Sequence, residues 1–146
     1  LLTGAYTRVF FENWVKALQQ SALDGKLAVV MVDVDQFKYI NDTYGHEMGD
    51  RVLQYIVTAV KGVLREKDFV FRFGGDEFIV VLDSVDAEKA HKVFERVNQR
   101  LFESNPFPFA IVISYGISQV EGAGAVYEAI KQADHAMYQQ KRDKKA

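Results

Sequence analysis

Four carboxylates that the sequence places at the ends of two predicted strands could together bind a divalent cation: Asp33, Asp35, Asp76 and Glu77. The first two close an apolar run over residues 27–32, and side chains two residues apart in a strand point to the same face. The other two follow a glycine pair. If the two strands are neighbours, Asp33 and Asp76 converge, and such hard oxygen ligands favour Mg²⁺ or Mn²⁺. The alternative is that these residues only end a strand and decorate a turn, where Asp and Gly are common.

Three segments around these carboxylates could contact phosphate groups. Residues 36–38 (Gln-Phe-Lys) are predicted as a short loop, in which backbone N–H groups and the Lys38 ammonium could hold phosphate oxygens. Gly74 and Gly75 let the backbone approach a ligand closely because they carry no Cβ atom. The C-terminal end is a basic tail, for which cations near a helix C-terminus are the simpler explanation. Its members are Lys141, Arg142, Lys144 and Lys145.

Length and composition limit what these residues can belong to. The chain has 146 residues, 18 Lys plus Arg, 20 Asp plus Glu and no cysteine, so its net charge is -2. The length predicts one domain over residues 1–146. The absence of cysteine excludes a disulfide scaffold, a thiolate zinc site and a cysteine nucleophile. A net charge of -2 argues against a nucleic-acid polymer as partner, because the chain has no overall positive field. The apolar runs are too short to span a membrane. Because the sequence begins at Leu1 and not at Met, we expect it to be a fragment of a longer protein.

The elements that must position the carboxylates follow from hydrophobic periodicity. Helices are predicted at residues 8 to about 23, 46 to about 65, from a cap at Asp86 to about 102, and 126 to about 142. Strands are predicted at residues 27–32, 69–73, 78–82 and 109–120, the middle two joined by a tight primed turn that needs positive φ angles at Gly74 and Gly75. The order is an opening helix, then β-α-β-β-α-β, then a closing helix. This order predicts an α+β fold with a ferredoxin-like core, an antiparallel sheet with two helices on one face.

One string and several longer blocks resemble a known family. Gly74-Gly75-Asp76-Glu77-Phe78 resembles the signature of the diguanylate cyclase, or GGDEF, domain family. Further blocks are similar to family segments, in family order and over essentially the whole chain: residues 2–4 (LTG), 33–42 (DVDQFKYIND), 45–50 (GHEMGD) and 133–138 (ADHAMY). The resemblance implies a palm-type core related to nucleotide cyclases and polymerases, which agrees with the element order.

The resemblance also implies an activity, the synthesis of cyclic di-GMP from two GTP with release of two pyrophosphates. Two Mg²⁺ (or Mn²⁺) ions per active site would be held by Asp33, Asp76 and the backbone carbonyl of Val34. Glu77 would bind the second metal or help deprotonate the attacking 3′-hydroxyl, and these two roles stay open. Metals would stabilise charge on the attacking and leaving oxygens while the protein positions the reactants.

By the same resemblance, a set of residues would bind the substrate: Phe37, Lys38, Asn41, Asp50, Gly74, Gly75, Lys141 and Lys145. Asn41 and Asp50 would read guanine, since a carboxylate accepts from its N1–H and N2–H₂ groups. Phe37, Lys38 and Lys141 would hold the terminal phosphates, and Lys38 would be a catalytic residue together with Asp76 and Glu77.

The chain departs from the family pattern at one place. Where the family usually has a Gly-Arg pair, this chain has Lys144-Lys145. Lys145 supplies a positive charge there, but it lacks the planar guanidinium with which arginine binds a phosphate through two hydrogen bonds.

An RxxD pattern five residues ahead of Gly74 is similar to the family's inhibitory site for the product. Arg65 could bond a phosphate or a guanine edge, Asp68 could accept from guanine, and Arg96 would complete the site. The alternative is an exposed helix end with local ion pairing.

The leading hypothesis is an active, cytoplasmic diguanylate cyclase domain of a longer sensor protein, without membrane contact of its own. Each domain would hold one GTP, so that the active species is a homodimer with two-fold symmetry. The alternative is a catalytically inactive module that senses cyclic di-GMP through Arg65 and Asp68. A cyclase for another nucleotide is a third possibility, against which Asp50 argues.

Overall fold

A computed structural model describes residues 3–20, 26–120 and 125–145, without the side chains of residues 18–20 and 145. Five helices and four strands follow one another in these segments: α1 (Arg8–Gln20), β1 (Leu27–Val34), α2 (Phe37–Tyr44), α3 (His46–Lys61), β2 (Phe69–Arg72), β3 (Glu77–Asp83), α4 (Ala87–Glu103), β4 (Ile113–Val120) and α5 (Val126–Lys145). The predicted end of the first helix, at residue 23, lies outside the described residues.

The four strands form one antiparallel sheet in the order β2-β3-β1-β4. This is the strand order of a ferredoxin-like β-α-β-β-α-β core, so the predicted α+β fold is confirmed. β1 lies at the centre of the sheet and pairs with β3 on one side and β4 on the other. The end of β1 is therefore flanked by both neighbouring strands.

Helices cover both faces of the sheet, and this explains the unbroken apolar run of β1. Alternate β1 side chains such as Val30 pack with α3 and α4 in one core. The intervening side chains, such as Val29, pack with α1 and α5 in a second core. All eight residues of β1 are consequently buried, without the polar alternation of a half-solvated strand.

The N-terminal segment lies along the outer edge of β2. Tyr6 N donates to the Val70 carbonyl over 3.0 Å, and Arg72 N donates to the Tyr6 carbonyl over 2.7 Å. The rings of Phe69, Phe71 and Phe73 pack against aromatic side chains of α1. No helix in the described ranges has both the length and the apolar character needed to cross a membrane.

The predicted turn geometry of the glycine pair is wrong. Neither Gly74 nor Gly75 has a positive φ angle. Phe73 N donates to the Glu77 carbonyl over 2.9 Å, so three residues and not two form the turn, and a three-residue turn does not need the primed geometry. The Arg72 guanidinium donates to the Gly74 and Gly75 carbonyls over 3.3 and 2.8 Å, which holds the turn in place.

Several predicted boundaries also differ. The segment after β1 is not a loop, because Phe37 begins the short helix α2, in which Ile40 is the buried residue. The helix predicted to end near residue 65 ends at Lys61, before a C-cap at Gly62. β4 begins at residue 113, not 109. Asn105 explains this: its side chain accepts from Phe107 N and donates to the Phe109 carbonyl, in place of strand pairing.

Candidate active site

The carboxylates predicted from two separate motifs meet at one end of the sheet. Asp33, near the end of β1, pairs in register with Glu77 at the start of β3. Val34 N donates to the Asp76 carbonyl over 3.3 Å, which continues the contact into the turn. Asp33 is 7% exposed, whereas Asp76 and Glu77 are half-buried. The sheet therefore places several carboxylates close together where they are partly or fully shielded from solvent.

The two oxygens of Asp33 have different surroundings. Lys141 Nζ, from α5, donates to Asp33 Oδ2 over 2.5 Å. Asp33 Oδ1 is buried and has no hydrogen-bond partner among the described residues. A buried carboxylate oxygen without a partner is costly. It is also the kind of donor that a divalent cation takes as a ligand.

The pKa values of Asp76 and Glu77 are raised because these carboxylates are partly buried and lie close to other negative charges. Burial raises the pKa of Asp76 to about 6, and interaction with the Asp33 carboxylate adds to the rise. Burial also raises the pKa of Glu77, with the negative charges of Asp33 and Asp134 adding to it and the Lys141 ammonium opposing it. A bound cation would favour the charged form of both groups.

The raised pKa of Asp76 predicts a pH-dependent stability in the absence of metal. The folded chain binds this proton more tightly than the unfolded chain, so the stabilisation is full below about pH 4 and is lost as the pH rises through about 6. We expect the free energy of unfolding of the parent, minus that of Asp76→Asn, to fall between about pH 4 and about pH 7. Urea denaturation of both proteins in a chelator measures it. A difference that stays constant with pH would contradict the assignment.

The donor set suits a hard cation, although it is small. No group of three or more His, Cys, Asp or Glu side chains in the described part of the chain is arranged to hold a metal ion. The predicted ligands Asp33 and Asp76 interact with each other, since the Asp33 carboxylate adds to the rise that burial causes in the pKa of Asp76, and the predicted role of the Val34 carbonyl stays a prediction. The unpartnered Oδ1 of Asp33 is the observation that fits these residues to Mg²⁺ or Mn²⁺.

A cleft of about 270 Å³ opens beside the carboxylates. Its lining combines predicted metal and phosphate residues: Val34, Asp35, Gln36, Phe37, Lys38, Asp76, Lys141 and Lys144. Gln36 is the N-cap of α2 in a left-handed conformation, φ 58° and ψ 29°, and its side chain makes no capping hydrogen bond. Among the described residues, the cap side chain therefore accepts from none of the first backbone N–H groups of α2, which lie next to Lys38. Such a helix start favours an anion.

The predicted guanine residues lie on α2 and α3, which pack together. Asn41 Oδ1 is buried without a hydrogen-bond partner in the described structure. A Cβ atom at Gly49 would lie 1.8 Å from Asn41 Oδ1, so only glycine leaves this amide its place. Asp50, the next residue, is half-buried. A free buried acceptor such as Asn41 Oδ1 suits a ligand that presents an N–H donor.

Comparison with known proteins decides the family. The family model described as diguanylate cyclase, GGDEF domain, matches residues 1–146. The chain belongs to the GGDEF domain family.

Individual relatives agree with this assignment. The chain is 35% identical to the probable diguanylate cyclase DgcT of Escherichia coli, over 96% of this chain and 32% of DgcT. It is 37% identical to the cyclic di-GMP phosphodiesterase NbdA of Pseudomonas aeruginosa, over 96% of this chain and 19% of NbdA. The chain thus spans about a third or less of these two proteins. The GGDEF domain of DgcB from Caulobacter crescentus, solved in complex with c-di-GMP, superposes with a TM-score of 0.82 at 25% identity, covering 98% of this chain and 89% of that one.

In this GGDEF domain the RxxD residues are engaged with each other. Asp68 is buried and accepts from Arg65 N, Nε and Nη2 over 2.8 to 3.2 Å, and from Asp83 N over 2.9 Å. Arg65 also donates to the Asp83 carbonyl. Arg96 is an exposed residue of α4, and within the described residues no hydrogen bond joins it to this pair. The local ion pairing of the alternative is observed, but not its exposed helix end, because α3 ends at Lys61 and Asp68 is buried. Product binding at Arg65, Asp68 and Arg96 stays a prediction.

The sequence did not predict the contacts of Lys144. In this GGDEF domain Lys144 lines the cleft and bonds Asp35, another lining residue. Lys144 Nζ donates to Asp35 Oδ2 over 3.0 Å and to Ser114 Oγ over 3.1 Å. Ser114 Oγ in turn donates to Asp35 Oδ1 over 2.6 Å. The available signal was Ser114, a polar residue that is itself buried among the first residues of β4. The side chain of Lys145, the predicted phosphate contact, lies outside the described residues.

Proposed function

We propose that this GGDEF domain is a diguanylate cyclase, which condenses two GTP to cyclic di-GMP and two pyrophosphates. The observation that carries the proposal is the unpartnered buried oxygen of Asp33, which lies beside Asp76 and a lysine-lined cleft. The similarity to the probable diguanylate cyclase DgcT and to the DgcB domain, which was solved in complex with c-di-GMP, supports the same choice. GTP supplies the triphosphate that such a cleft fits.

The GGDEF cyclase family generally uses a divalent metal. We assign two Mg²⁺ (or Mn²⁺) ions to Asp33, Asp76 and the Val34 carbonyl, with Glu77 either as a ligand of the second ion or as the base that takes the 3′ proton. The ions supply Lewis-acid stabilisation of the attacking and leaving oxygens. In the reaction a 3′-oxygen bonds to the α-phosphorus of the other GTP, and the bond to pyrophosphate breaks.

The chain's own part is to position the nucleotide. The start of α2 at Phe37, the Lys38 ammonium and the Lys141 ammonium hold the terminal phosphates. Lys141 is placed for this because its ammonium already lies at the metal end of the cleft, bonded to Asp33. Orientation of this kind supplies much of the rate enhancement in phosphoryl transfer, since little covalent chemistry is left to the protein.

Guanine selection is assigned to Asn41 and Asp50. The free Asn41 Oδ1 and the Asp50 carboxylate accept from the N2–H₂ and N1–H groups of guanine, and adenine offers no matching pair of donors. Gly49 keeps the space that Asn41 needs. Gly74 and Gly75 leave the turn open for a close approach of substrate, because a Cβ atom there would meet at most one atom at 3.9 Å.

The reaction needs two domains. Each cleft takes one GTP, so we assign catalysis to a homodimer with two-fold symmetry, in which dimerisation sets the effective concentration of one GTP near the other. Arg65, Asp68 and Arg96 are the proposed site for inhibition by the product. We place the domain in the cytoplasm, where GTP is available.

A second candidate is a cyclic di-GMP sensor without cyclase activity. It is favoured by one observation, the 37% identity over nearly the whole chain to NbdA, which is a cyclic di-GMP phosphodiesterase. The carboxylates, Lys38 and Asn41 argue against it, because a sensor needs none of them.

Product analysis separates the two candidates. The chain is fused to a dimeric coiled coil and incubated with GTP and Mg²⁺, beside an Asp76→Ala, Glu77→Gln control. We expect cyclic di-GMP from the parent and none from the control, measured by chromatography. A folded dimer that binds cyclic di-GMP but forms none would contradict the cyclase and support the sensor.

A further inference from the structure

Lys144 forms a closed set of contacts at the rim of the cleft. Its ammonium donates to Asp35 Oδ2 over 3.0 Å, to the Ile113 carbonyl over 2.8 Å and to Ser114 Oγ over 3.1 Å. An ammonium has three N–H donors, so all of them are used. Lys144 therefore has no donor left for a phosphate oxygen, although it lines the same cleft as Lys38 and Lys141.

The position of Lys144 is held by the packing of α5 on β4. Gln132 accepts from Ser118 Oγ over 2.8 Å and Gln140 accepts from Tyr115 N over 2.8 Å, so polar contacts follow one side of α5 along the strand. At Gly116 the two backbones touch, since a Cβ atom there would lie 2.0 Å from the Ala133 carbonyl oxygen. Lys144 is the last of these contacts, one turn beyond Lys141.

The charge at this end of the cleft explains what Lys144 does. Asp35, the first residue after β1, lines the cleft, but its two oxygens are occupied by Lys144 and Ser114. Without Lys144, the Asp35 carboxylate would keep its hydrogen bond from Ser114 but would lose its bonded ammonium beside the site of a triphosphate. It would repel the phosphates, and it would compete with Asp33 for the Lys141 ammonium.

We infer that Lys144 is a positioning residue. It acts as an intramolecular counter-ion that neutralises Asp35, so that the Lys141 ammonium stays available to bond Asp33 and the phosphates. The inference rests on the proposed function for the identity of the ligand. It concerns a position where the family usually has glycine, and it gives Lys144 a role other than the direct phosphate contact expected of a basic tail.

The test uses four variants: Lys144→Met, Lys144→Arg, Asp35→Asn, and the double variant Asp35→Asn, Lys144→Met. Dissociation constants are measured by calorimetry with Mg²⁺ for the α,β-methylene analogue of GTP, which cannot release pyrophosphate, and for GMP. We expect Lys144→Met to weaken binding of the analogue about 5-fold and of GMP less than about 2-fold, because only the analogue carries the terminal phosphates. Lys144→Arg and the double variant should bind the analogue within about 2-fold of the parent.

A second measurement needs no nucleotide. The side-chain ammonium signal of Lys141 is followed by ¹⁵N NMR in the free protein. It should shift in Lys144→Met and return toward the parental position in the double variant, because the unpaired Asp35 charge has been removed.

The outcomes are distinct. A double variant that binds the analogue as weakly as Lys144→Met would overturn the inference, since Lys144 would then contact phosphate directly. Equal losses for the analogue and GMP, or an unmoved Lys141 signal, would also overturn it. If the parent prefers an ATP analogue or binds neither, the proposed function fails, and the NMR measurement still decides the role of Lys144.

Discussion

Replacing Asp33 with asparagine is expected to lower the rate of cyclic di-GMP formation by about 1,000-fold or more. Asp33 is the buried carboxylate of the site, with one oxygen on Lys141 and the other without a partner. The amide keeps the shape of the side chain but loses the charge that binds a cation. Metal stabilisation of the reacting oxygens is worth several kcal/mol, and each 1.36 kcal/mol is tenfold in rate.

The measurement is the steady-state rate of product formation by the dimeric fusion at saturating GTP. Glu128→Gln is the matched control, because it also removes one carboxylate charge but lies exposed in the first turn of α5. It should keep the parental rate within about 2-fold. Thermal unfolding of Asp33→Asn checks that the fold survives. A folded Asp33→Asn protein with more than about a tenth of the parental rate would remove Asp33 from the proposed metal site.

Replacing Gly116 with alanine is expected to lower the free energy of unfolding by about 3 kcal/mol, at the upper end of what overpacking costs. A Cβ atom at this position would lie 2.0 Å from the Ala133 carbonyl oxygen and 2.3 Å from Met137 N. Both are backbone atoms of α5 and cannot turn away as a side chain would. The helix itself must move off the sheet, which also carries Lys141 away from Asp33.

Gly75→Ala is the control for Gly116→Ala. A Cβ atom at Gly75 meets nothing within 4 Å, and its φ angle is not positive. Its free energy of unfolding should change by less than about 0.5 kcal/mol. Urea denaturation of both variants measures the difference. Equal stability of Gly116→Ala and the parent would show that α5 does not pack on β4 as closely as described.

The sequence predicted the large elements because their apolar periodicity was strong. The β1 run, the stripe of α3 and the Asp86 cap of α4 all carried a local signal, and Lys89 N does donate to Asp86 Oδ1. α2 was missed because eight residues with one buried side chain, Ile40, carry little periodicity. The turn at Gly74-Gly75 was misjudged because a three-residue turn and a two-residue turn can share the same glycines.

The candidate site was predictable in part. The convergence of Asp33 and Asp76 was predicted by placing two strands side by side. β1 and β3 are indeed neighbours, and their register pairs Asp33 with Glu77, the residue that follows Asp76. The contacts of Lys141 and Lys144 join residues more than 100 positions apart to the end of β1, and no local pattern specifies them. Arg65 and Asp68 also bond the carbonyl and the N–H of Asp83, and the RxxD pattern does not contain this residue.

The contact of Tyr6 with β2 has a consequence for aggregation. β2 is an edge strand of four residues, and Tyr6 occupies the Val70 carbonyl and the Arg72 N–H on its outer side. An uncovered strand edge is a template for pairing with another chain, and this one carries a row of phenylalanine rings. Displacing residues 3–7 would therefore expose an unpaired strand edge that can pair with another chain. The N-terminal segment thus also protects the folded chain from self-association through intermolecular β-pairing.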